Sequence, residues 1–500
     1  MPAENKSAAS LPTPAKSGSG EKSAYHWLNR LTWGANTSLV QAHAHDGRGA
    51  FIAQQLSLSA QQALPPKDVQ VQIQAMTISQ RPLQVLAIDM DQRRKDAEGL
   101  TDEDARKAAL QAYQQEMNRL AREAARRHVL RALYSPAQIH AQMSWFWLNH
   151  FSVSQNKANL RAMVGDYEES AIRPHALGKF KDLLSAVARH PVMLRYLDND
   201  RNAAGRINEN YARELMELHT LGVDGGYSQR DVQELARVLT GVGVSLSADN
   251  PAVRKELQTY YVRQGLFEFH PGRHDFGDKV LLGEPIRSKG LAELNEALTR
   301  LSRQRATAHF ISHKLTQFWL TDTPPAALVA RMADAFQRSD GDIAQTRWVL
   351  LNWAGFASGE GQKFKDPMRY VISAVRLAYD DKAILNAGPV LNWLDRLGEP
   401  LFRRQTPDGY PLTQSAWASP GQMATRFEVA KAIGSGTAGL FKGEGAQAVD
   451  QPAFPQLSNA LYFQSIEPTL SVPTRRALYQ ANSSQEWNTF LLSSPEMMSR

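Results

Sequence analysis

The chain has no cysteine in its 500 residues. Disulfide bonds, thiolate catalysis and cysteine-ligated metals are therefore excluded, and the absence suits an oxidising compartment. The sequence also lacks an apolar run of about 18 residues, which a membrane-spanning helix requires. It contains neither a glycine-rich phosphate-binding loop nor a Gly-x-Ser-x-Gly motif, so these signatures of nucleotide-binding proteins and serine hydrolases are missing.

A strong excess of charge is missing as well. The 57 Lys and Arg residues nearly balance the 50 Asp and Glu residues, and the formal net charge is +7. Because the basic residues are scattered, nucleic-acid binding is not indicated. Residues 1–22 are rich in Ala, Ser, Pro, Lys and Gly and have no apolar segment. This composition predicts a disordered tail or linker, of the kind that follows a removed export signal.

The remaining chain, 23–500, shows mainly helical periodicity, and an apolar fraction of 43% is ample for a core. Between 255 and 285, stretches rich in Tyr, Val and Phe flank a loop with Pro and Gly, which predicts short strands. The sequence thus predicts a mainly α, large multi-helix globular fold with a small β-hairpin insert. It forms either one large helical domain or two closely joined halves, 23–245 and 286–500, with the insert between them.

The stretch 206–222 carries the densest set of candidate functional residues. It predicts a helix that ends at Gly222, because glycine takes the left-handed conformation of a helix stop. At about 100° per residue, Arg213, Glu214 and Glu217 share one narrow arc. Two carboxylates at this spacing can share a metal ion, or one can hold the other's proton.

The same arc has a simpler interpretation as a solvated helix face. It would then carry the ion pairs Glu209–Arg213 and Arg213–Glu217. His219 lies in the apolar arc, about 140° from Glu214. The histidine therefore joins the carboxylates only if the last turn is distorted; otherwise it is a core histidine.

A second group of polar residues lies in the loop of the predicted hairpin. His270, His274 and Asp275 fall in a segment that its Pro and Gly residues mark as irregular. A loop held by a rigid hairpin is a usual place for catalytic groups. Metal binding, acid–base chemistry and structural hydrogen bonding all remain open for it.

Two further residues stand out because they fall in apolar surroundings. Lys314 lies among aromatic and aliphatic residues on its predicted helix, where an ammonium must find a carboxylate or lose its proton. The alternative is that it reaches out to solvent along its aliphatic stem. His150 interrupts an aromatic helix and needs partners there, whether it is functional or structural.

Several stretches together resemble one bacterial family, catalogued as domain of unknown function 1800. The similarity covers nearly all of the chain from about Tyr25. It is carried by Trp147-Leu-Asn-His-Phe151, the helical stretch 208–222, 227–241, His274-Asp-Phe-Gly-Asp-Lys279, His313-Lys-Leu with Phe318, and Pro407-Asp-Gly-Tyr-Pro411 with Trp417. The resemblance implies a mainly helical, usually exported bacterial protein, without an established activity. It therefore implies a periplasmic or extracellular location.

Two hypotheses follow. The first is an exported enzyme of unassigned reaction, with one shared site that brings the helix at 208–222 to the loop of the insert and His150. Its catalytic residues would be Glu214, Glu217, His150, His274, Asp275, Arg213 and Lys314. If it uses a cofactor, this would be a divalent metal ion, with ligands drawn from Glu214, Glu217, His219, His270 and His274; without a metal, Glu214 or Glu217 would be the general base. The second is a non-catalytic export or cell-surface interaction protein with a partner in the cell envelope, whose polar clusters are structural.

Overall fold

The computed structural model describes residues 24–58, 62–358, 363–443 and 453–500. The predicted tail at 1–22 lies outside the described residues. Within them the fold is mainly α, as the sequence predicts, and the strands form two small antiparallel sheets. The α-helices are α1 Ala24–Leu31, α2 Thr37–Ala42, α3 Arg48–Ser57, α4 Lys67–Gln74, α5 Thr77–Gln80, α6 Leu83–Glu98, α7 Glu103–Tyr134, α8 Gln138–His150, α9 Val164–Asp166, α10 Phe180–Arg189, α11 Pro191–Tyr196, α12 Asn210–Glu217, α13 Gln229–Val238, α14 Leu291–Ser302, α15 Arg305–Trp319, α16 Ala326–Arg338, α17 Ile343–Leu351, α18 Ala354–Ser358, α19 Pro367–Tyr379, α20 Gly388–Arg396, α21 Pro420–Gly434, α22 Val472–Tyr479 and α23 Ser484–Leu492. The strands are β1 Val242–Val244, β2 Val262–Gln264, β3 Phe267–Phe269, β4 Val280–Leu281 and β5 Glu284–Pro285.

Side chains that cap free backbone N–H groups define the starts of several helices. Asp102 accepts a hydrogen bond from Ala105 N at 2.7 Å and begins α7. Ser228 and Asp231 bond reciprocally to each other's backbone and begin α13. Both starts agree with the sequence, because Asp and Ser are preferred N-cap residues.

The β-hairpin insert is confirmed, and it includes a strand that the sequence did not indicate. β2 and β3 pair antiparallel, with Val262 opposite Phe269. β1 pairs with the other side of β3 and places Val242 opposite the same Phe269, so the strand order is β1-β3-β2. Because β1 follows α13 within a few residues, the insert is attached directly to the end of that helix.

Helix α8 lies inside the core. A continuous cluster of buried apolar side chains extends from Tyr25 to Met498 and includes the aromatic residues of α8. Phe146 packs against Phe318 of α15 with ring centroids 5.2 Å apart. Among the helices of the described ranges, none combines the length and apolarity needed to cross a membrane. Because α8 is buried, the segments packed around it have fixed positions. These segments carry the polar residues of the candidate site.

Candidate functional site

Helix α12 presents two carboxylates that have no bonded partner in the part of the chain that the structure describes. Glu214 and Glu217 are half-buried, and neither forms a hydrogen bond or an ion pair with a described residue. Arg213 contacts Glu209 at 3.2 Å instead, and it donates to the Gln229 side chain at 2.8 Å. Of the two ion pairs expected for a solvated helix face, Glu209–Arg213 forms and Arg213–Glu217 does not.

The pKa of Glu214 is raised above the usual carboxyl range. Burial is the largest cause, the charge of Glu217 adds to it, and Arg213 opposes it. Asp408, from the loop that follows α20, raises the same pKa. Burial, Glu214 and Asp408 together raise the pKa of Tyr196 to about 12. Glu214, Asp408 and Tyr196 therefore share one electrostatic environment, although they come from distant segments.

Helix α12 ends at Glu217, before the predicted stop at Gly222. The chain continues in a widened turn, because His219 N donates to Glu214 O at 3.1 Å, five residues back rather than the four of a regular helix. Gly222 does adopt the left-handed conformation, with φ +84°. It therefore ends the widened turn rather than the helix. The last turn is distorted, but within the described residues His219 stays a core histidine and bonds to neither carboxylate.

The two histidines His150 and His219 lie together in the core. His150 Nε2 donates to the His219 carbonyl oxygen at 3.1 Å, and the ring centroids are 6.3 Å apart. Within the described residues, His150 Nδ1 and both ring nitrogens of His219 have no hydrogen-bond partner. Burial and the nearby Lys314 lower the pKa of His219 to about 3, and they lower the pKa of His150 well below its ordinary value. Both imidazoles are therefore neutral at pH 7.

Lys314 is half-buried, with its ammonium 5.4 Å from the ring centroid of Phe310. Burial lowers its pKa to about 8, and Asp408 acts in the opposite direction. The sequence led us to expect a largely buried lysine paired with an acid. The structure differs from this expectation, because Lys314 forms no ion pair with a described residue. The charge of Asp408 acts on its pKa only from a longer distance.

The loop that carries Asp408 is anchored to α8 through one side chain. Asn149 Nδ2 donates to Tyr410 O at 3.0 Å, and Tyr410 N donates to Asn149 Oδ1 at 2.6 Å. Gly409, with φ +78°, lies so close to Asn149 O that a Cβ atom would have no room. Arg404 pairs with Asp408 at 3.1 Å. Sequence reasoning used this stretch for the family resemblance, and it did not indicate that Asp408 acts on the pKa of Glu214.

His274 belongs to a second, buried cluster. Its Nδ1 donates to Thr240 O at 2.8 Å, and its Nε2 lies 3.3 Å from Glu293 Oε1. Lys279 Nζ lies 2.7 Å from Glu293 Oε2. These contacts fix the start of the loop against α13 and α14, and none of them involves a residue of α12.

Asp275 and His270 have their own partners in the insert. Asp275 pairs with Arg237 at 2.8 Å, and this contact is the main reason that the pKa of Asp275 falls to about 2. His270 donates its backbone N–H to Gly241 O at 2.8 Å, and its ring contacts Tyr261. Asp408 acts on the pKa values of both Glu214 and Lys314, and Lys314 acts on that of His150. Within the described residues, His270, His274 and Asp275 lie in clusters that share no bonded partner with α12.

A family model described as "Protein of unknown function (DUF1800)" matches residues 26–499. The chain belongs to this family. No curated protein and no solved structure matches it. The family description carries no activity, so the chemistry of this DUF1800 protein has to be argued from its side chains.

The metal ligands predicted for this DUF1800 chain fall in three places. Glu214 and Glu217 lie on α12, His219 lies in the core, and His270 and His274 lie in the insert. Over the described ranges, no group of three or more His, Asp or Glu side chains is placed to hold a metal ion. Glu214 and Glu217 remain the two predicted ligands that can approach one ion from the same helix.

The pKa of Lys314 gives a direct test of the proximity of Asp408 to Lys314. We expect an amine-directed acylating reagent to label Lys314 with a midpoint near pH 8, because only the neutral amine reacts. Asp408 raises this pKa, so Asp408→Asn should move the midpoint to lower pH. The measurement is peptide labelling by mass spectrometry from about pH 6 to 11. Asp395→Asn is the control, because Asp395 is a partly exposed carboxylate paired with Arg403. An unchanged midpoint in Asp408→Asn would contradict the proximity of Asp408 to Lys314.

Proposed function

We propose that the protein is an enzyme that works by general acid–base catalysis. Glu214 transfers the proton, and the ammonium of Lys314 stabilises negative charge on the substrate. One observation carries the proposal: Glu214 and Glu217 are half-buried neighbours without a bonded cation. Like charges held in this way oppose folding. Titratable groups kept in unfavourable surroundings are concentrated at active sites.

The pKa values of Glu214 and Lys314 are both displaced toward neutrality. Burial and Glu217 raise the first, and burial lowers the second to about 8. A general acid or base is most efficient when its pKa lies near the operating pH. Glu214 can therefore take and return a proton, while the charge of Glu217 keeps the pKa of Glu214 high. Lys314 supplies the cation that stabilises negative charge developing on the substrate.

Three other predicted residues, His150, His219 and Arg213, hold the carboxylates of α12 in position and do not contact the substrate. His150 holds the carbonyl of His219 and with it the widened turn after α12. Both neutral imidazoles lie close enough to Lys314 for its charge to lower their pKa values. Arg213 connects α12 to α13 through Gln229. These contacts hold the carboxylate pair in place.

The cluster around His274 shows how a structural network is built in the same molecule. Lys279 has Glu293 as its partner, and Arg237 has Asp275. Every one of these charges is compensated by a bonded neighbour. The carboxylates of α12 differ because they have none, and this contrast supports a role in chemistry for them rather than in packing.

We also propose that the protein acts in the periplasm or outside the cell. The support is the cysteine-free sequence, the linker-like composition of residues 1–22 and the resemblance to an exported family. Fractionation of cells that carry the native gene should recover the protein with the periplasm or the medium. Recovery in the cytoplasmic fraction alone would contradict export.

A non-catalytic interaction protein of the cell envelope is the second candidate. The observation that favours it is a set of exposed apolar side chains near the C-terminus: Phe463, Val472 and Tyr479 are 56%, 63% and 80% exposed. A contiguous exposed apolar patch is characteristic of contact surfaces, so this candidate requires these three side chains to form one patch. This candidate would not explain why the unfavourable contact between Glu214 and Glu217 of α12 is retained.

The substitution Glu214→Gln separates the two candidates without a known substrate. We expect it to raise the free energy of unfolding at pH 7 by about 0.5 kcal/mol, because it removes a like-charge contact. The pKa of Glu214 is raised in the fold, so its ionisation destabilises the fold as pH rises through that pKa. The gain should therefore vanish at low pH, where wild-type Glu214 is protonated in both states. Urea denaturation at several pH values measures it.

Glu293→Gln is the matched control for this experiment. Glu293 is buried and paired with Lys279, so its neutralisation leaves a buried ammonium uncompensated and should lower the free energy of unfolding by about 3 kcal/mol. If Glu214→Gln destabilises the protein as Glu293→Gln does, Glu214 belongs to a structural network and the proposal fails.

Catalysis itself is tested by screening purified protein against chromogenic esters, glycosides and phosphoesters. On any substrate found, Glu214→Gln should lower turnover by about 10²–10⁴-fold, while Glu209→Gln should retain it. Metal content and melting with and without chelator are measured on the same samples. An ion that is present in wild type and lost in Glu214→Gln would assign Glu214 and Glu217 to a divalent metal site. Equal turnover in wild type and Glu214→Gln would overturn the catalytic role.

A further inference from the structure

Three buried arginines surround one tryptophan in the C-terminal half of the chain. Arg347, Arg369 and Arg500 are all buried, and Arg347 is 0% exposed. Their guanidinium carbons lie 3.8, 5.5 and 5.5 Å from the ring centroid of Trp319 at the end of α15. Arg369 and Arg500 also contact the ring of the adjacent Phe318. Three positive charges thus converge on one aromatic platform.

Most N–H donors of this group have no acceptor. Within the described residues, none of the three Arg347 nitrogens has a hydrogen-bond partner. Two nitrogens of Arg369 and two of Arg500 are also unpartnered. Among the described residues, the guanidinium of Arg369 donates only to the Gln142 side chain, and the guanidinium of Arg500 donates only to the Phe318 carbonyl. The indole N–H of Trp319 lacks an acceptor as well.

The carboxylates near the arginines offset only part of the cost of burial. Burial lowers the pKa values of Arg369 and Arg500, while Asp366 and Glu399 oppose this at Arg369 and Asp366 opposes it at Arg500. Asp366 is 3.9 Å from Arg369 Nε, and it caps α19 by accepting from the Arg369 backbone at 2.7 Å. Glu399 is buried and accepts from Met368 N, and burial together with Asp366 raises its pKa well above the usual range. The neighbouring charge that bears most on Arg347 is the positive charge of Arg369.

An arginine does not escape this situation by losing its proton. Cation–π contact with Trp319 offsets part of the cost of burial, but it provides no acceptor for the in-plane N–H groups. Buried donors are as a rule satisfied. A group with several acceptor oxygens and negative charge would satisfy the donors and the charge at once.

We propose that Arg347, Arg369 and Arg500 form a buried binding site for one small tetrahedral oxyanion, such as phosphate or sulfate. Guanidinium groups bind oxyanions in a bidentate manner, which uses pairs of parallel N–H groups. The burial of all three side chains requires that the whole ligand is enclosed, which restricts it to a small ion. The site shares no residue with the carboxylates of α12, and it does not depend on the proposed function.

The test uses the full chain and inorganic phosphate. Melting is followed in increasing phosphate, with chloride adjusted to hold the ionic strength constant. We expect a saturable rise of about 3 °C in wild type, and sulfate should act in the same way. Arg347→Met should lose the response. Arg331→Met should keep it, because Arg331 is an exposed arginine stacked on Trp353 at 5.4 Å and serves as the matched control.

Two direct measurements decide the question even if Arg347→Met does not fold. Equilibrium dialysis with labelled phosphate should give about one ion per chain, since the proposal places a single ion among the three arginines. Dialysed wild-type protein that is then denatured should release phosphate or sulfate in the same ratio, if the site is already filled. Absence of both uptake and release would overturn the proposal. An equal rise in wild type, Arg347→Met and Arg331→Met would also overturn it, since that result is a general salt effect.

Discussion

Helix α8 is buried on nearly every face, and its polar side chains therefore have to find their partners inside the protein. Gln142 donates to Leu31 O at 2.7 Å and also accepts from Arg369. Asn149 holds the backbone of the loop at Tyr410. His150 holds the widened turn after α12. Since an unmet polar group in the core is costly, these bonds fix the position of each neighbouring segment.

The structure contains two kinds of polar cluster, and the difference between them is physical rather than compositional. In one kind each charge has a bonded opposite charge, as in Lys279 with Glu293. In the other kind like charges lie together, as in Glu214 with Glu217 and in Arg347 with Arg369, and within the described residues Glu214, Glu217 and Arg347 form no ion pair. Such contacts between like charges oppose folding, and titratable groups in unfavourable surroundings are concentrated at functional sites, which is the basis of both proposals.

The sequence predicted the helical class and the β insert because both depend on local periodicity. It also predicted the arc of Glu214 and Glu217, which follows from helix geometry alone. The widened turn at His219 was not predictable, because a hydrogen bond five residues back leaves no distinct apolar pattern. The environment of Asp408 depends on a contact between Asn149 and Tyr410, and no local signal connects residues so far apart in the chain.

The predicted single site stays a prediction, and within the described residues the bonded partners of His274 lie at Thr240 and on α14 rather than on α12. The sequence does not show the distance between segments. It therefore could not show that His274 contacts Glu293 of α14 rather than a residue of α12. The arginines around Trp319 were missed because charged residues on amphipathic helices are usually solvated. Burial of a guanidinium becomes visible only when the neighbouring helices are placed around it.

The bond between Asn149 and Tyr410 has a consequence for time scales. Amide hydrogens of a fully buried helix exchange with solvent mainly when the whole core opens. The loop that carries Asp408 is tied by two hydrogen bonds to such a helix. Its attachment point therefore persists as long as the native state does. The distance between Asp408 and Lys314 should therefore change mainly when the core opens, and not through the faster fluctuations of an ordinary surface loop.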